Sequence, residues 1–387
     1  MNTRREWLVA AAAVLGLTTT ARATPVNGPR LYDDIEKAIK EAAEKTVGRS
    51  LSIGIIENGL LAAERHYGST HIDKPILPNS RTIYPIASMT KVLTGLMFLQ
   101  LVDRGVVHLT DRVTKYVPEF SGIPNPYPWA PDITLMQLAT MTSGIDLDDQ
   151  SSASLTEEPD KDLPGTWEEG AAGAIKQYRF KFEPGTRRSY SNSGYSVLGL
   201  ALSRAIGRPY LEYMDSDILS PLGMNDTTFL IGDDPSKRDA YWNNTAEHSP
   251  PLKRRPMLPA GGAFSTMSDM VKLMRFQMGL GPEIVLSTKA LEDSFRLVVP
   301  SDGNLAYGDA IGFAAVRNPD SDLVSIGHGG NTLNFSGSYQ FDRPSKSGIV
   351  VFSTHWSDDF KPVVRVSLKR MHPDSHGGTG LEPLEHH

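Results

Sequence analysis

The segment from Ser88 to Val102 constrains the fold more than any other part of the sequence. Apolar residues cover nearly every face of a helix that begins near Ser88. A helix without a polar face is buried inside a protein. Lys91 lies one turn after Ser88, on the same face and at the entrance to this apolar run. Burying a charge costs free energy, so a lysine at this position is not expected to be incidental. The pattern therefore predicts a core that encloses an ionisable group with a functional role.

The composition limits the class of protein. The chain has 387 residues, of which 40% are hydrophobic, so it is long enough to bury a large core. A formal net charge of −6 and the lack of a strongly basic stretch disfavour nucleic acid as a partner. The sequence contains no cysteine, which excludes disulfides, thiolate nucleophiles and cysteine-ligated metals.

The first 23 residues have the pattern of an export signal. Two arginines precede an apolar stretch at residues 7–17, and Ala-Arg-Ala at 21–23 forms a small-x-small cleavage site. The stretch is too short to span a bilayer. The paired arginines indicate a twin-arginine signal, with an ordinary secretion signal as the alternative. Either one predicts a mature chain that is periplasmic or secreted.

Residues 384–387 read as a purification-tag remnant.

Strand-like segments occupy the two ends of the chain, whereas helical periodicity and long loops dominate the middle. Two short apolar runs flank Asn58-Gly59, the strongest short signal for a hairpin. Strand-like runs return after about residue 300, and a helix follows from Lys361 to Met371. This order predicts an α+β fold with one sheet built from both chain ends. The predicted sheet part is about 31–85 and 300–372, with a mainly helical part, about 86–299, inserted between them.

Ser88 and Lys91 can form a nucleophile and its activator. A serine hydroxyl attacks well only when a neighbour takes its proton. A desolvated lysine with a lowered pKa can take that proton, or it can hold a tyrosinate that does. The alternative is a serine that caps a helix beside an incidental lysine. The Ser-x-x-Lys spacing alone does not decide between these readings, since one occurrence is expected by chance.

Two later segments carry further candidate residues. Tyr190 and Asn192 directly precede an apolar helix, where the tyrosine can shuttle a proton and the asparagine can hold Lys91. The alternative is a loop tyrosine with an Asx turn. His328-Gly329-Gly330 connect two strand-like runs, where glycines let a substrate lie against the backbone. The alternative there is a tight hairpin with a surface histidine.

Together these motifs resemble the penicillin-recognising serine hydrolases, which include class C β-lactamases, DD-peptidases and family VIII carboxylesterase-like enzymes. The resemblance covers about residues 31–371 and includes "IASMTKVLTG", "SPLGMNDTTF" and "YGDAIGF". It implies a β-lactamase/transpeptidase-like fold, in which helices flank an antiparallel sheet. The site would lie between this sheet and a mainly helical domain.

The resemblance also implies a role for each motif residue. Ser88 would be the acylated nucleophile, and Lys91 and Tyr190 would handle its proton. Asn192 would organise that pair. The backbone N–H groups of Ser88 and Asn331 would form the oxyanion hole. No metal or cofactor is implied.

The sequence departs from the family pattern at three positions. Gly329 lies where relatives often have a threonine, so a hydroxyl that binds a substrate carboxylate is missing. His328 stands where many relatives have lysine, and a neutral histidine binds an anion less well. Both differences favour small carboxylic esters or amides over β-lactams, whose hydrolysis would be weak. Met141 stands where histidine is common, and we interpret it as structural and remote from the chemistry.

Two rival functions stay open at this point. The first is a β-lactamase or D-alanyl-D-alanine carboxypeptidase. The second is a non-catalytic penicillin-binding sensor that has lost deacylation. The expected partner in every case is a small-molecule ester, amide or β-lactam, and the oligomeric state is left open.

The segment from Asp146 to Glu169 holds nine acidic residues and one lysine. It is either a solvated loop or a negative collar that repels anionic substrates.

Overall fold

One large sheet forms the centre of the structure, a computed structural model of the chain. The described residues are 32–45, 49–70, 76–130, 132–147, 165–230, 256–296, 299–301, 304–317, 324–332, 335–354 and 358–371. The export signal and the tag remnant predicted from the sequence lie outside them. The strands are β1 (Ser50–Glu57), β2 (Leu60–Gly68), β3 (Tyr84–Pro85), β4 (Ile145–Leu147), β5 (Tyr178–Phe180), β6 (Phe264–Ser265), β7 (Val299–Ser301), β8 (Asn304–Asp309), β9 (Ala314–Arg317), β10 (Val324–Thr332), β11 (Phe335–Asp342) and β12 (Ser347–Ser353).

The large sheet joins the two ends of the chain. Its eight strands follow the order β2-β1-β12-β11-β10-β9-β8-β7, and all neighbours are antiparallel. The junction is the β1–β12 pair, in which Ile53 lies opposite Val351. Asn58 and Gly59 both have positive φ, at 50° and 73°, and form the predicted hairpin turn between β1 and β2. The predicted α+β fold class is confirmed.

Helices account for most of the remaining regular structure. They are α1 (Asp33–Lys45), α2 (Thr90–Asp103), α3 (Leu135–Ala139), α4 (Trp167–Ala174), α5 (Asn192–Ile206), α6 (Tyr210–Tyr213), α7 (Leu258–Gly261), α8 (Met267–Arg275), α9 (Thr288–Ser294) and α10 (Lys361–Met371). Short 3₁₀ turns span Ala87–Met89, Val113–Lys115, Pro118–Gly122 and Ile175–Gln177, and π-helical turns span Met214–Leu219 and Phe276–Leu280. Among the described residues, none of these helices has the length and hydropathy needed to span a membrane.

The two faces of the sheet pack against different helices. On one face, apolar side chains of α1 and α10 meet those of β1 and β12, including Ile39, Val363, Ile53 and Val351. On the other face, Gly54 lies so close to α8 that a Cβ would stand 2.6 Å from the sulfur of Met267. The helices of the middle of the chain therefore cover this second face. The domain boundaries near residues 85 and 300 stay a prediction.

Helix α2 is buried all round, as its sequence predicts. Every residue from Thr90 to Leu101 is buried. The α-helix begins at Thr90, directly after a 3₁₀ turn at Ala87–Met89 that contains Ser88. The prediction that the helix begins near Ser88 is therefore confirmed to within two residues. Ala87 has a φ of 46°, outside the helical region, so the helical segment does not extend before it.

Close backbone contact fixes the position of α2 against the sheet. A Cβ added to Gly95 would stand 2.6 Å from Cα of Gly312, in the turn before β9. Overpacking of this kind usually costs roughly 1–3 kcal/mol. The gain in helix propensity, about 1 kcal/mol, offsets only part of this cost, so we expect Gly95→Ala to destabilise the protein by up to roughly 2 kcal/mol.

The matched control is Gly173→Ala in α4, where a Cβ would meet no heavy atom within 4 Å. We expect this variant to be more stable than the wild type by about 0.5–1 kcal/mol. Denaturant unfolding of both variants measures the two effects. Stabilisation by Gly95→Ala would contradict the close packing.

Candidate active site

Ser88 is presented by a strained turn. Ala87, the preceding residue, has a φ of 46°, an uncommon conformation for a residue with a Cβ. Such a residue costs on the order of 1–3 kcal/mol and persists where its surroundings hold it. The hydroxyl of Thr90 donates to the carbonyl of Ala87 over 2.6 Å, and the N–H of Met89 donates to Ile86 over 3.1 Å. The turn leaves Ser88 partly exposed, whereas its neighbours are buried.

Lys91 is fully buried, and three oxygens surround its amine. Its Nζ lies 3.3 Å from Oγ of Ser88, 2.7 Å from Oδ1 of Asn192 and 2.8 Å from the carbonyl oxygen of Ala260. No carboxylate of the described residues forms an ion pair with it. Because no negative charge compensates the loss of water around the ammonium ion, burial lowers the pKa of Lys91 well below its ordinary value of 10.5.

The chemistry of the three oxygens indicates where the amine lone pair points. The carbonyl oxygens of Asn192 and Ala260 can only accept hydrogen bonds, so they take the two N–H groups of a neutral amine. The hydroxyl of Ser88 can donate as well as accept. A neutral Lys91 would therefore direct its lone pair at the Ser88 hydroxyl. This arrangement suits the removal of the serine proton.

Tyr190 contacts Ser88 from a segment that lies 102 residues later in the chain. Its hydroxyl donates to Oγ of Ser88 over 2.7 Å, and Nζ of Lys91 lies 4.8 Å from the centre of its ring. Two residues earlier, Arg188 forms an ion pair with the buried Asp309 of β8, with an Nε–Oδ2 distance of 2.5 Å. This ion pair fastens the segment that carries Tyr190 to the sheet.

Helix α5 places Asn192 beside Lys91. The helix begins at Asn192, and its N-cap Ser191 accepts a hydrogen bond from the N–H of Gly194 over 2.9 Å. A capped start fixes the orientation of the first helical residue. Asn192 is exposed, while its Oδ1 accepts from Lys91. Its amide group is thus open to a ligand on the side away from the lysine.

Strand β10 forms the third side of the cluster. His328, Gly329, Gly330 and Asn331 all lie inside this strand, so the prediction that the first three connect two strands is wrong. Their pairing with β11 continues without a break, because glycine lowers strand propensity but keeps its backbone hydrogen bonds. A Cβ on Gly330 would stand only 2.3 Å from the carbonyl oxygen of Ile86, so glycine alone fits there.

The histidine of this strand is buried and oriented. His328 is 5% exposed, and its Nδ1 lies 2.6 Å from the carbonyl oxygen of Gly329. Because that oxygen only accepts, Nδ1 carries the proton. The ring of His328 lies 6.4 Å from that of Tyr190, between centres. Asn331, three residues further along the strand, is exposed.

The structure thus brings Ser88, Lys91, Tyr190 and Asn192 into one hydrogen-bonded cluster with β10 at its side. The sequence reasoning missed the carbonyl of Ala260, which lies in the segment "PAGGAFST". Much of the acidic segment lies outside the described residues, at 148–164. Of its described ends, Asp146 forms an ion pair with Lys181 at 3.1 Å. No group of three or more His, Asp or Glu that could hold a metal occurs among the described residues.

The buried amine makes a prediction about stability and pH. In the unfolded chain Lys91 has an ordinary pKa, near 10.5, whereas burial lowers the pKa in the folded protein. Between these pKa values the unfolded state binds more protons, so stability rises with pH. We expect the free energy of unfolding of wild type, relative to Lys91→Met, to rise towards pH 10.5 by up to about 1.4 kcal/mol per pH unit.

Denaturant unfolding of both proteins from about pH 7 to about pH 10 tests this. Lys37→Met, which removes a lysine whose side chain is 78% exposed, gives the baseline. A wild-type advantage that stays constant with pH would show that Lys91 is charged in the folded protein.

Known protein families and structures match this fold. The family model described as Beta-lactamase matches residues 35–367. The Beta-lactamase/D-alanine Carboxypeptidase from Yersinia pestis complexed with citrate superposes with a TM-score of 0.72 at 22% identity, over 87% of this chain and 97% of that one. The octameric penicillin-binding protein homologue from Pyrococcus abyssi gives 0.68 at 25% identity, over 87% and 76%.

Curated relatives agree with the family model. The D-alanyl-D-alanine-carboxypeptidase/endopeptidase AmpH from Escherichia coli (strain K12) is 30% identical over 259 residues, 67% of this chain and 65% of AmpH. Protein flp from Staphylococcus aureus (strain MRSA252) is 28% identical over 333 residues, 84% of this chain and 64% of flp. The chain therefore spans slightly less than two thirds of these relatives. The family match confirms the resemblance seen in the motifs: the chain belongs to the beta-lactamase family of penicillin-recognising serine hydrolases.

Proposed function

We propose that the chain is a serine hydrolase that cleaves small carboxylic esters or amides through an acyl-enzyme on Ser88. The observation that carries this proposal is the buried Lys91 amine with its lowered pKa, 3.3 Å from Oγ of Ser88. A charged lysine in this position could only donate to the serine. A neutral one can accept its proton, which is what a nucleophile needs.

The first half of the proposed reaction forms the acyl-enzyme. Oγ of Ser88 attacks the substrate carbonyl carbon, and its proton passes to Lys91. The resulting oxyanion would lie between the N–H groups of Ser88 and Asn331, as preorganised donors stabilise such charge. The bond to the leaving group then breaks, and the leaving alcohol or amine receives the proton through Tyr190. In the second half, a water molecule attacks the carbonyl carbon of the ester that links the acyl group to Oγ of Ser88. This step releases the acid and restores the Ser88 hydroxyl.

The geometry favours Lys91 over Tyr190 as the first proton acceptor. A tyrosinate would need a nearby cation to stabilise it, and a neutral lysine does not provide one. The hydroxyl of Tyr190 instead donates to Oγ over 2.7 Å, which suits a neutral phenol that relays a proton. Asn192 supports both steps because it orients the amine and leaves its exposed amide for the substrate carbonyl.

The preference for esters or amides rests on the residues of β10. Gly329 offers no hydroxyl to a substrate carboxylate, and His328 occupies the place of a lysine in many relatives. The rival reading, a D-alanyl-D-alanine carboxypeptidase or β-lactamase, is supported by the 30% identity with AmpH. A penicillin-binding sensor is the non-catalytic rival, in which the acyl adduct on Ser88 would persist. Export to the periplasm or the medium rests on the pattern of the first 23 residues.

Variants of the two hydroxyl residues test the mechanism. We expect Ser88→Ala to abolish hydrolysis of p-nitrophenyl esters while the protein stays folded. Tyr190→Phe should lower kcat by roughly a hundredfold, the usual scale for a positioned acid–base group. Tyr241→Phe is the matched control, because the sequence has the same Tyr-x-Asn spacing there. Activity of Ser88→Ala within about tenfold of wild type would refute the proposed nucleophile.

A panel of substrates tests the proposed preference for esters or amides over β-lactams. We expect kcat/KM to be higher for neutral p-nitrophenyl esters and D-amino-acid amides than for a chromogenic cephalosporin. Gly329→Thr adds a donor at the position of the missing hydroxyl, so it should raise the cephalosporin-to-ester ratio of kcat/KM. An unchanged ratio would reject our interpretation of Gly329. An acyl adduct that persists for hours in intact mass spectra would favour the sensor.

A further inference from the structure

Met141, one of the departures from the family pattern, forms hydrogen bonds with the segment that carries Tyr190 and Asn192. It is 3% exposed, and its sulfur accepts the N–H of Ser191 over 3.3 Å. Its carbonyl oxygen accepts the N–H of Ser189 over 2.9 Å. These two hydrogen bonds enclose Tyr190 in the chain. The expectation that Met141 is remote from the chemistry is therefore revised.

The backbone of Met141 has a conformation that is uncommon for a residue with a side chain. Helix α3 ends at Ala139, and Met141 is the left-handed residue that follows it, with a φ of 60°. The N–H of Thr142 returns to the carbonyl of Gln137 over 2.9 Å, as in the helix ending that normally uses glycine. Glycine would adopt this conformation without strain. Methionine adopts it at a cost, which the hydrogen bond of its sulfur to Ser191 helps to offset.

The N–H of Ser191, which donates to the sulfur, explains what the Met141 side chain contributes. Ser191 is 3% exposed and is the N-cap of α5, so its own N–H has no acceptor within the helix. A glutamate or glutamine three residues after the cap often accepts this N–H, but here that residue is Gly194. The sulfur of Met141 takes the place of the missing acceptor. A buried N–H without an acceptor is costly, and the segment would move to find one.

We infer that Met141 is a positioning residue for the hydrolytic reaction, which it serves through Ser191. The residues on either side of Ser191 are Tyr190, whose hydroxyl contacts Ser88, and Asn192, which accepts from Lys91. Holding the N–H of Ser191 fixes both side chains relative to the nucleophile. The inference rests on the proposed function of these residues. It assigns to Met141 an effect on the acylation of Ser88, in which Tyr190 relays the proton and Asn192 faces the substrate carbonyl.

Two substitutions of Met141, to leucine and to glutamine, distinguish a positioning role of its side chain from a packing role. Met141→Leu keeps an apolar side chain of similar size but removes the acceptor. Met141→Gln supplies a carbonyl acceptor at the cost of a polar group in the core. We expect the leucine variant to lose kcat, and with it kcat/KM, by about tenfold or more, since small misplacements of reacting groups cost this much. The glutamine variant should retain most of the wild-type kcat. Met214→Leu, at a buried methionine of the Met214–Leu219 turn, is the matched control and should leave kcat unchanged.

A second readout does not depend on the choice of ester. A fluorophosphonate probe reacts with an activated serine, and intact mass spectrometry follows its addition to Ser88. If wild type is not labelled, the proposed function fails. If wild type is labelled and Met141→Leu reacts at the same rate as Met214→Leu, the inference about Met141 is wrong. Should Met141→Leu not fold, Met141→Gln still decides: a packing role predicts slower labelling, whereas an acceptor role predicts the wild-type rate.

Discussion

The burial of Lys91 is the interaction on which the rest of the structure depends. An amine without a carboxylate partner is tolerated inside a protein when it is neutral and all its hydrogen bonds are made. The three oxygens around Nζ come from the turn before α2, from the start of α5 and from α7. Each must lie within hydrogen-bonding distance at once. The amine therefore fixes the relative positions of three elements that are far apart in sequence.

The packing around α2 makes this arrangement possible. A helix that is apolar on all sides must be enclosed, and glycines permit the enclosure at two points of backbone contact. Gly312 lies against α2 at Gly95, and Gly330 of β10 lies against the turn before Ser88. The ion pair between Arg188 and Asp309 then ties the Tyr190 segment to the same sheet. The sheet, which joins both chain ends, thus serves as the support for the cluster.

Periodicity and spacing made much of this predictable from the sequence. The all-apolar helix, the Asn58-Gly59 hairpin and the sheet built from both chain ends follow from side-chain pattern and turn chemistry. The cluster of Ser88, Lys91, Tyr190 and Asn192 followed from the order of three motifs. Features of the backbone could not be predicted from the sequence in this way. Any residue can provide a carbonyl such as that of Ala260, and a glycine-rich stretch such as His328–Gly330 reads as a connection although it is a strand.

The protonation state of Lys91 is the central claim and can be measured directly. Lysine labelled with ¹³C at Cε gives one NMR signal for each lysine, and the signal missing from Lys91→Met identifies this residue. We expect the Lys91 signal to have the shift of a neutral amine at neutral pH and to titrate well below 10.5. A signal that stays that of an ammonium ion from neutral pH up to about pH 10 would show that the buried lysine is charged and cannot take the proton of Ser88.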